Sequence, residues 1–332
     1  MTKTLYLHIG AGKTGTSSIQ ATLGQNWHRL KSEGVWVVPW VLGVLAEAVS
    51  DPARLAPVQG FDPEKLRDVR ARAHRSLTRW KTRAPAPTAV ISSEHFHGIN
   101  LAEKRRLQAY LAALADRVVI VCYVRHPLSK MVAMGAQRVR DGYGRLAQQD
   151  RWRIDRMDLD LPEWSAVFGA ENLLVRKFER GALWQDSPFA DFCQAIGHPG
   201  VALRIQPDAR NRGLTRAAIY LADALAEPAP AGSPVRGPSD WLAEIPGPGL
   251  AITQAIIDAH AGDLRRQLTF LRETYGLRFR PVAPAANPPP AADFDADTRR
   301  ALATLLNAQA LKIAALEAAL TPAEDPETPP DQ

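Results

Sequence analysis

The run Val118–Tyr123, VVIVCY, is apolar throughout. A strand that is apolar on both sides needs cover on both sides, which is the situation of a central strand in a parallel sheet between two layers of helices. The chain supplies matching pieces. Leu5–Ile9, Thr88–Ser92 (TAVIS) and Asn172–Phe178 (NLLVRKF) read as further strands, with Val35–Val38 a short one. Helical spacings lie between them: Ile19, Leu23, Trp27 and Leu30, stopped by Gly34; Leu107, Leu111 and Leu114; and a helix from about Leu128. Strands separated by helical crossovers pair in parallel. The expected fold is therefore α/β, a three-layer sandwich around a central parallel sheet, with a mainly helical region after Arg210.

At 332 residues the chain is long enough to bury a full core. Its expected organisation is an α/β domain over 1–280, with an irregular insertion and basic helix at about 40–85. A Pro-rich linker follows at 281–292, then a helix over 293–320 and an acidic tail at 321–332 whose composition favours disorder. Glu227–Pro238 reads as a loop. In the basic helix, Leu66, Val69, Ala73, Leu77 and Trp80 mark one face. The net charge of +6 is concentrated: residues 64–83 carry eight basic and two acidic side chains, and residues 125–156 carry eight and three. Such segments suit an anionic ligand, although a solvated helix face explains 64–83 equally well. Trp80 belongs to the apolar face, which leaves no stacking platform for nucleic acid. Cys122 and Cys193 form neither a disulfide framework nor a metal pattern, and Cys122 sits in an apolar strand as a buried thiol. No apolar run has membrane-spanning length, and the chain enters a strand almost at once, leaving no room for a signal peptide. A cytoplasmic location is expected.

Chemistry concentrates at three strand ends, where a doubly wound sheet binds its ligands. The first is LYLHIGAGKTGTSSIQATL, Leu5–Leu23, a strand, a Gly/Lys/Thr loop and the start of a helix. An ATP-type phosphate loop reads G-x-x-x-x-G-K-[ST]. Here Gly12, Lys13 and Thr14 match its end, but Leu7 stands where its first glycine belongs. The glycines are Gly10, Gly12 and Gly15, and the hydroxyls of Thr14, Thr16, Ser17 and Ser18 follow the lysine. This is a P-loop-like anion nest: backbone N–H groups from about Thr14 to Ser18 and the positive helix end face an anion, and Lys13 adds a mobile cation. Ser17-x-x-Gln20 has the form of a capping box. His8, on the first strand, reads as a structural histidine.

The second strand end is ISSEHFHG, Ile91–Gly98, in which Glu94 or His95 is placed to take a proton from a substrate hydroxyl, with Ser93 a cap for the next helix. The third is VCYVRHPLSKMVAMGAQRVRDG, Val121–Gly142. Arg125 lies just past the central strand, where a planar guanidinium suits a second phosphate.

Together, HIGAGKTGTSSIQ, ISSE and CYVRHPLSKMVAMGAQRVRDG resemble the sulfotransferases that use 3′-phosphoadenosine 5′-phosphosulfate (PAPS), in particular their bacterial branch. The resemblance is clear over about Thr4–Gly24 and Val118–Gly142, weaker at Val90–Phe96, NLLVRKFERGAL and RNRGLT (Arg210–Thr215), and absent from the middle and C-terminal third. It implies that Lys13 contacts the phosphosulfate, with Gly12, Thr14, Gly15, Thr16 and Ser17 around the 5′-phosphate and Arg125 on the 3′-phosphate. The family's base is Glu in some branches and His in others; SSE favours Glu94 over His95. No metal is implied, and the nucleotide product is 3′-phosphoadenosine 5′-phosphate. One position departs from the pattern: the serine usually found eight residues after the arginine is Ala133 here, with Ser129 one turn earlier and Arg212 a compensating cation.

Two other readings remain open on sequence. A small-metabolite kinase would need a Mg²⁺ carboxylate at a strand end, and the central strand ends in Val124, Arg125 and His126 instead. A non-catalytic homologue that keeps the anion cradle is supported by Ala133. The acceptor, a small molecule or saccharide, is expected against Trp40–Pro63, the basic helix and Gly142–Pro162. Trp40, Trp152 and Trp164 are candidate stacking surfaces, with packing the commoner role. The C-terminal Ala/Leu helix suits packing on the same chain or on a partner, and a homo-oligomer is one of the open expectations.

Overall fold

The computed structural model describes residues 2–38, 45, 49–51, 64, 67–75, 86–205, 213–225, 242, 248–287 and 296–320. Expectations for Trp40, most of 40–63, Leu66, Leu77, Trp80, Arg212, Glu227–Pro238 and the acidic tail fall outside these residues. Within the basic segment, residues 67–75 are helical, with Val69 and Ala73 buried. The chain forms two compact units: 1–134 with 153–212 and 257–283, and 135–152 with 213–256 and 284–332.

The first unit holds a five-stranded, all-parallel sheet in the order β2-β3-β1-β4-β5. Its strands are β1 (Thr2–His8), β2 (Val35–Val37), β3 (Thr88–Ser92), β4 (Ala115–Val124) and β5 (Leu173–Lys177). The crossovers are α1 (Thr16–Gln25) and α2 (Trp27–Ser32) after β1, α3 (Leu101–Ala112) after β3, and α4 (Pro127–Arg140) and α5 (Met157–Phe168) after β4. Beyond β5 come α6 (Pro188–Ala195) and the short α7 (Pro199–Ala202). Alternation along the strands divides the core into two faces. Leu5, Leu7, Ile91, Ile120 and Cys122 pack with Leu107, Leu111, Leu161 and Trp164 of α3 and α5. Val35, Val90, Val121 and Tyr123 pack with Ile19, Leu23, Phe189 and Phe192 of α1 and α6. This is the expected three-layer sandwich. Because α1 covers one face and α5 the other, the connections leaving the adjacent strands β1 and β4 diverge, opening a switch point between their carboxyl ends.

One local expectation is corrected, and one open alternative is decided in favour of packing. The apolar spacing from Ile19 to Leu30 suggests one helix, but the chain breaks at Asn26, where φ is −115° and ψ 18°. The Asn26 side-chain amide donates to the Thr22 carbonyl at 2.9 Å, offering the backbone an alternative to the helical ladder. Trp164 is not available to a ligand: it is fully buried and stacks on Phe168 at 5.6 Å.

A polar pin crosses one apolar face. Asp191 on α6 accepts from Tyr123 Oη at 2.7 Å, from Arg176 Nε and Nη2 at 2.5 and 2.7 Å, and from the Trp184 N–H at 2.9 Å. On the other face Lys104 of α3 donates to Asp160 and Glu163 of α5 at 2.6 and 2.7 Å.

In the second unit, α8 (Arg216–Leu225) packs against the long α11 (Ala296–Leu320); between them in sequence come α9 (Gln254–Ala259) and α10 (Ala261–Tyr275), the latter part of the first unit. Ala136, Val139, Ala218, Ile219, Ala222 and Leu242 form its core. Trp152 is buried over Gly135, where a Cβ would stand 2.3 Å from the indole, so this tryptophan also serves packing. In the Pro-rich segment, Ala285 N–H donates to the Ile252 carbonyl, and Asn287 bonds the Ala251 backbone in both directions.

Asp191→Asn is expected to destabilise the protein by about 2 kcal/mol at neutral pH, the scale of hydrogen bonds to a charged group, in urea unfolding. Burial pushes the Asp191 carboxyl up, but Arg176, the Trp184 N–H and Tyr123 outweigh it and leave it below the ordinary carboxylate value. A depressed carboxylate stabilises above its unfolded pKa of about 3.9 and loses that contribution as pH falls through its folded value. The gap between variant and wild type should therefore narrow only in acid; a gap that grows there would contradict the assignment.

Candidate functional site

The loop after β1 turns the chain into α1 through an alternation of backbone hands. Gly10 has φ +23°, Lys13 +66° and Gly15 +77°. For a lysine the left-handed region costs about 1–2 kcal/mol, a strain of the kind held at functional sites. The buried Thr14 hydroxyl closes the turn by donating to the Ala11 carbonyl at 2.5 Å. Successive right- and left-handed residues gather N–H groups into a concave nest. Gly15 is the N-cap of α1, and no side chain caps it. The expected Ser17–Gln20 capping box is thus not formed. Helix α1 begins with Thr16, and the Gln20 side-chain amide instead donates to Glu94 Oε2 at 2.8 Å. Thr16 is buried and its hydroxyl oxygen has no hydrogen-bond partner. A polar atom left so at a helix N-terminus fits an anion's oxygen.

Arg125 follows β4 directly. It is half-buried, burial pushes its guanidinium pKa down, and Nη1 donates to the Lys13 carbonyl at 3.3 Å. The expected partnership of Arg125 with the Lys13 loop is therefore formed through the backbone. Ala133 is half-buried on α4, as is Ser129.

The second strand end, after β3, is tied to the first. His8 lies opposite Ser92 in the sheet and its Nδ1 is 2.7 Å from the Ser92 hydroxyl. Burial pushes His8 down to about 3, so it is neutral, packed against the rings of Tyr123 and Phe192. It is structural, as expected. Ser93 caps a single 3-10 turn, Glu94–Phe96, by accepting from the His95 N–H at 3.2 Å. Glu94 and His95 are both exposed on that turn.

Sequence reading missed a charged cluster beside Arg125. Lys130 of α4, almost fully buried, pairs with Asp155, and His97 Nε2 lies 3.4 Å from the same carboxylate oxygen. Burial pushes Asp155 up, but the His97 hydrogen bond and the charges of Lys130 and His97 outweigh it and hold the carboxyl well below the usual range. Arg125, Pro127, Lys130, Asp155 and Met157 line one small cavity. Spacing carried no signal for this pairing, because Asp155 lies on a different segment. Gln20 was visible only as a cap. Cys122 and Cys193 are buried free thiols, each pushed up to about 12 by burial first, which makes both inert.

Fold and site define a class: a parallel α/β sandwich with a nest-like strand-to-helix loop and a basic side chain at one switch point. No protein-family model matches the sequence, and no curated protein does. Among solved structures, a sulfotransferase from Alicyclobacillus acidocaldarius is similar, with a TM-score of 0.37 and 14% identity over 68% of this chain and 94% of that one. At that score the likeness carries no functional weight, and activity has to be read from the side chains. Among the described residues, no helix is long and apolar enough to cross a membrane.

A methyl group at Gly15 would stand 2.9 Å from both Phe178 and Pro188, on a residue with φ +77°. Gly15→Ala is expected to lower stability by about 1–3 kcal/mol, read as a fall in Tm. An unchanged Tm would mean that the loop has another conformation.

Proposed function

We propose that the protein is a sulfotransferase that takes PAPS as donor and sulfates a hydroxyl or amine of a small-molecule or saccharide acceptor. The observation that carries this reading is the hydrogen bond from Arg125 to the Lys13 carbonyl. It brings together two motifs, 112 residues apart, that resemble the 5′- and 3′-phosphate sites of one nucleotide. The unpartnered Thr16 hydroxyl supports it, since a bound phosphate would complete that atom's bonding.

In this reading Gly12, Thr14, Gly15, Thr16 and Ser17 hold the 5′-phosphate through backbone N–H groups and hydroxyls, and Arg125 holds the 3′-phosphate. Arg212 lies outside the described residues and stays a sequence-based candidate for the same role. Ala133 offers no hydroxyl, which places more of the 3′-phosphate affinity on Arg125. Bound PAPS supplies an activated sulfuryl group. Lys13 and the positive end of α1 stabilise charge that collects on the departing phosphate oxygen. Glu94 is the base: with Oε2 held by Gln20, its other oxygen takes the acceptor proton. His95 is the second candidate on the same turn. Positioning and electrostatics carry the reaction, without a covalent enzyme intermediate.

The direct test is calorimetric titration with 3′-phosphoadenosine 5′-phosphate, beside ATP with Mg²⁺. The bisphosphate should bind, and Arg125→Ala should weaken it about 10- to 100-fold, the equivalent of a charge-assisted hydrogen bond; binding of ATP–Mg²⁺ alone would overturn the reading in favour of a kinase. With an acceptor found from a panel of alcohols, amines and saccharides, Lys13→Ala should lower kcat about 100- to 1000-fold with a smaller change in KM. Glu94→Gln should lower kcat by about 100-fold or more and leave bisphosphate affinity intact. Normal turnover in Glu94→Gln with loss in His95→Gln would transfer the role to His95.

A further inference from the structure

The last helix continues well past its packing. Ala303 of α11 is buried and Leu306 half-buried, but every residue from Ala308 to Leu316 is exposed. Ile313 is 53% exposed and Leu316 62%. A helical stretch of this length is marginal in water unless something covers its apolar side. Its sequence states what cover it suits. Leu306, Gln309, Ile313, Leu316 and Leu320 are spaced alternately three and four residues apart, the a and d positions of a heptad seam. Leu306, Ile313 and Leu320 fall at a; Gln309 and Leu316 fall at d. Leu311 lies off the seam at f.

The charges select the partner. Between Ala301 and Leu320 the chain has one cation, Lys312, and one anion, Glu317. They stand five residues apart, at g and the following e. In a parallel, in-register pair of identical helices, g of one chain faces the next e of the other. Lys312 would then meet Glu317 of a second copy, twice by the two-fold symmetry. Antiparallel pairing sets g beside g and e beside e, opposing like charges. Gln309 at d meets its own copy across the axis only in register, a polar layer that costs stability and specifies alignment.

We propose that residues 306–320 form a parallel two-stranded coiled coil with a second copy of this chain, making the protein a homodimer. The seam is short, so the dimer is reversible and concentration-dependent. It is independent of the donor-site chemistry.

The test is analytical ultracentrifugation of the full-length protein. The wild type should rise with concentration from the mass of one chain toward two. Ile313→Asp combined with Leu316→Asp should remain at one chain, with bisphosphate binding as the check that the rest of the molecule is intact. Lys312→Glu should weaken the dimer several-fold, and adding Glu317→Lys should restore it. Leu316→Cys should form a disulfide-linked dimer on mild oxidation, since in register it meets itself, while Cys122 and Cys193 stay buried. A wild type that remains single at every concentration overturns the proposal. So does a dimer that survives the double aspartate variant. A dimer that Leu316→Cys cannot cross-link overturns the parallel arrangement.

Discussion

Strand β1 is hydrogen-bonded along both edges, with Tyr6 opposite Val90 of β3 and Val119 of β4, and His8 opposite Ser92 and Val121. Having no free edge and apolar cover on both faces, it cannot slip by one residue without driving Tyr6 and His8 to the wrong side. That register sets the height at which the chain leaves the sheet, and so the position of the Gly10–Gly15 turn against Arg125. The neutral, fully buried His8 reinforces it: a charged imidazole there would lack both water and a counter-ion.

Rigid surroundings let the loop hold an unfavourable backbone. Lys13 stays left-handed because Thr14 closes the turn on Ala11 from inside, Arg125 grips the Lys13 carbonyl, and Phe178 and Pro188 leave no room at Gly15. Those two neighbours belong to the β5–α6 segment, which Asp191 pins to β4 and β5 through Tyr123 and Arg176. Buried pins of this kind add little net stability, because desolvation offsets most of the attraction, but leaving one half unpaired is costly. Their effect is to hold α6 against β4 and β5, and through it the loop. Lys104, held between Asp160 and Glu163 and lying 5.2 Å over the Trp164 ring, does the same for α3 and α5.

Beside the loop, Lys130, Asp155 and His97 concentrate charge next to a partly desolvated guanidinium. Against the opposing effect of burial, the His97 hydrogen bond and the Lys130 charge, both at one oxygen of Asp155, hold its carboxyl below the usual range. Lys130 and Asp155 offset one another, and among the described residues Arg125 bonds the Lys13 carbonyl rather than a carboxylate.

Sequence alone determined the layers and the three strand ends. VVIVCY reads as a strand covered on both faces, and the Gly/Lys/Thr loop before a helix reads as an anion nest; both readings follow from patterns within a few residues. The His8 assignment was legible for the same reason, its strand position placing it inside. Tertiary structure alone decided the partners. Gln20 left its cap position for Glu94, Asn26 broke a helix whose apolar spacing ran on, Trp152 and Trp164 were consumed by packing, and Asp155 met Lys130 and His97 from segments far apart in the chain. Periodicity reports which side of an element is apolar, whereas a side-chain hydrogen bond depends on distances set only once the sheet and its helices have closed.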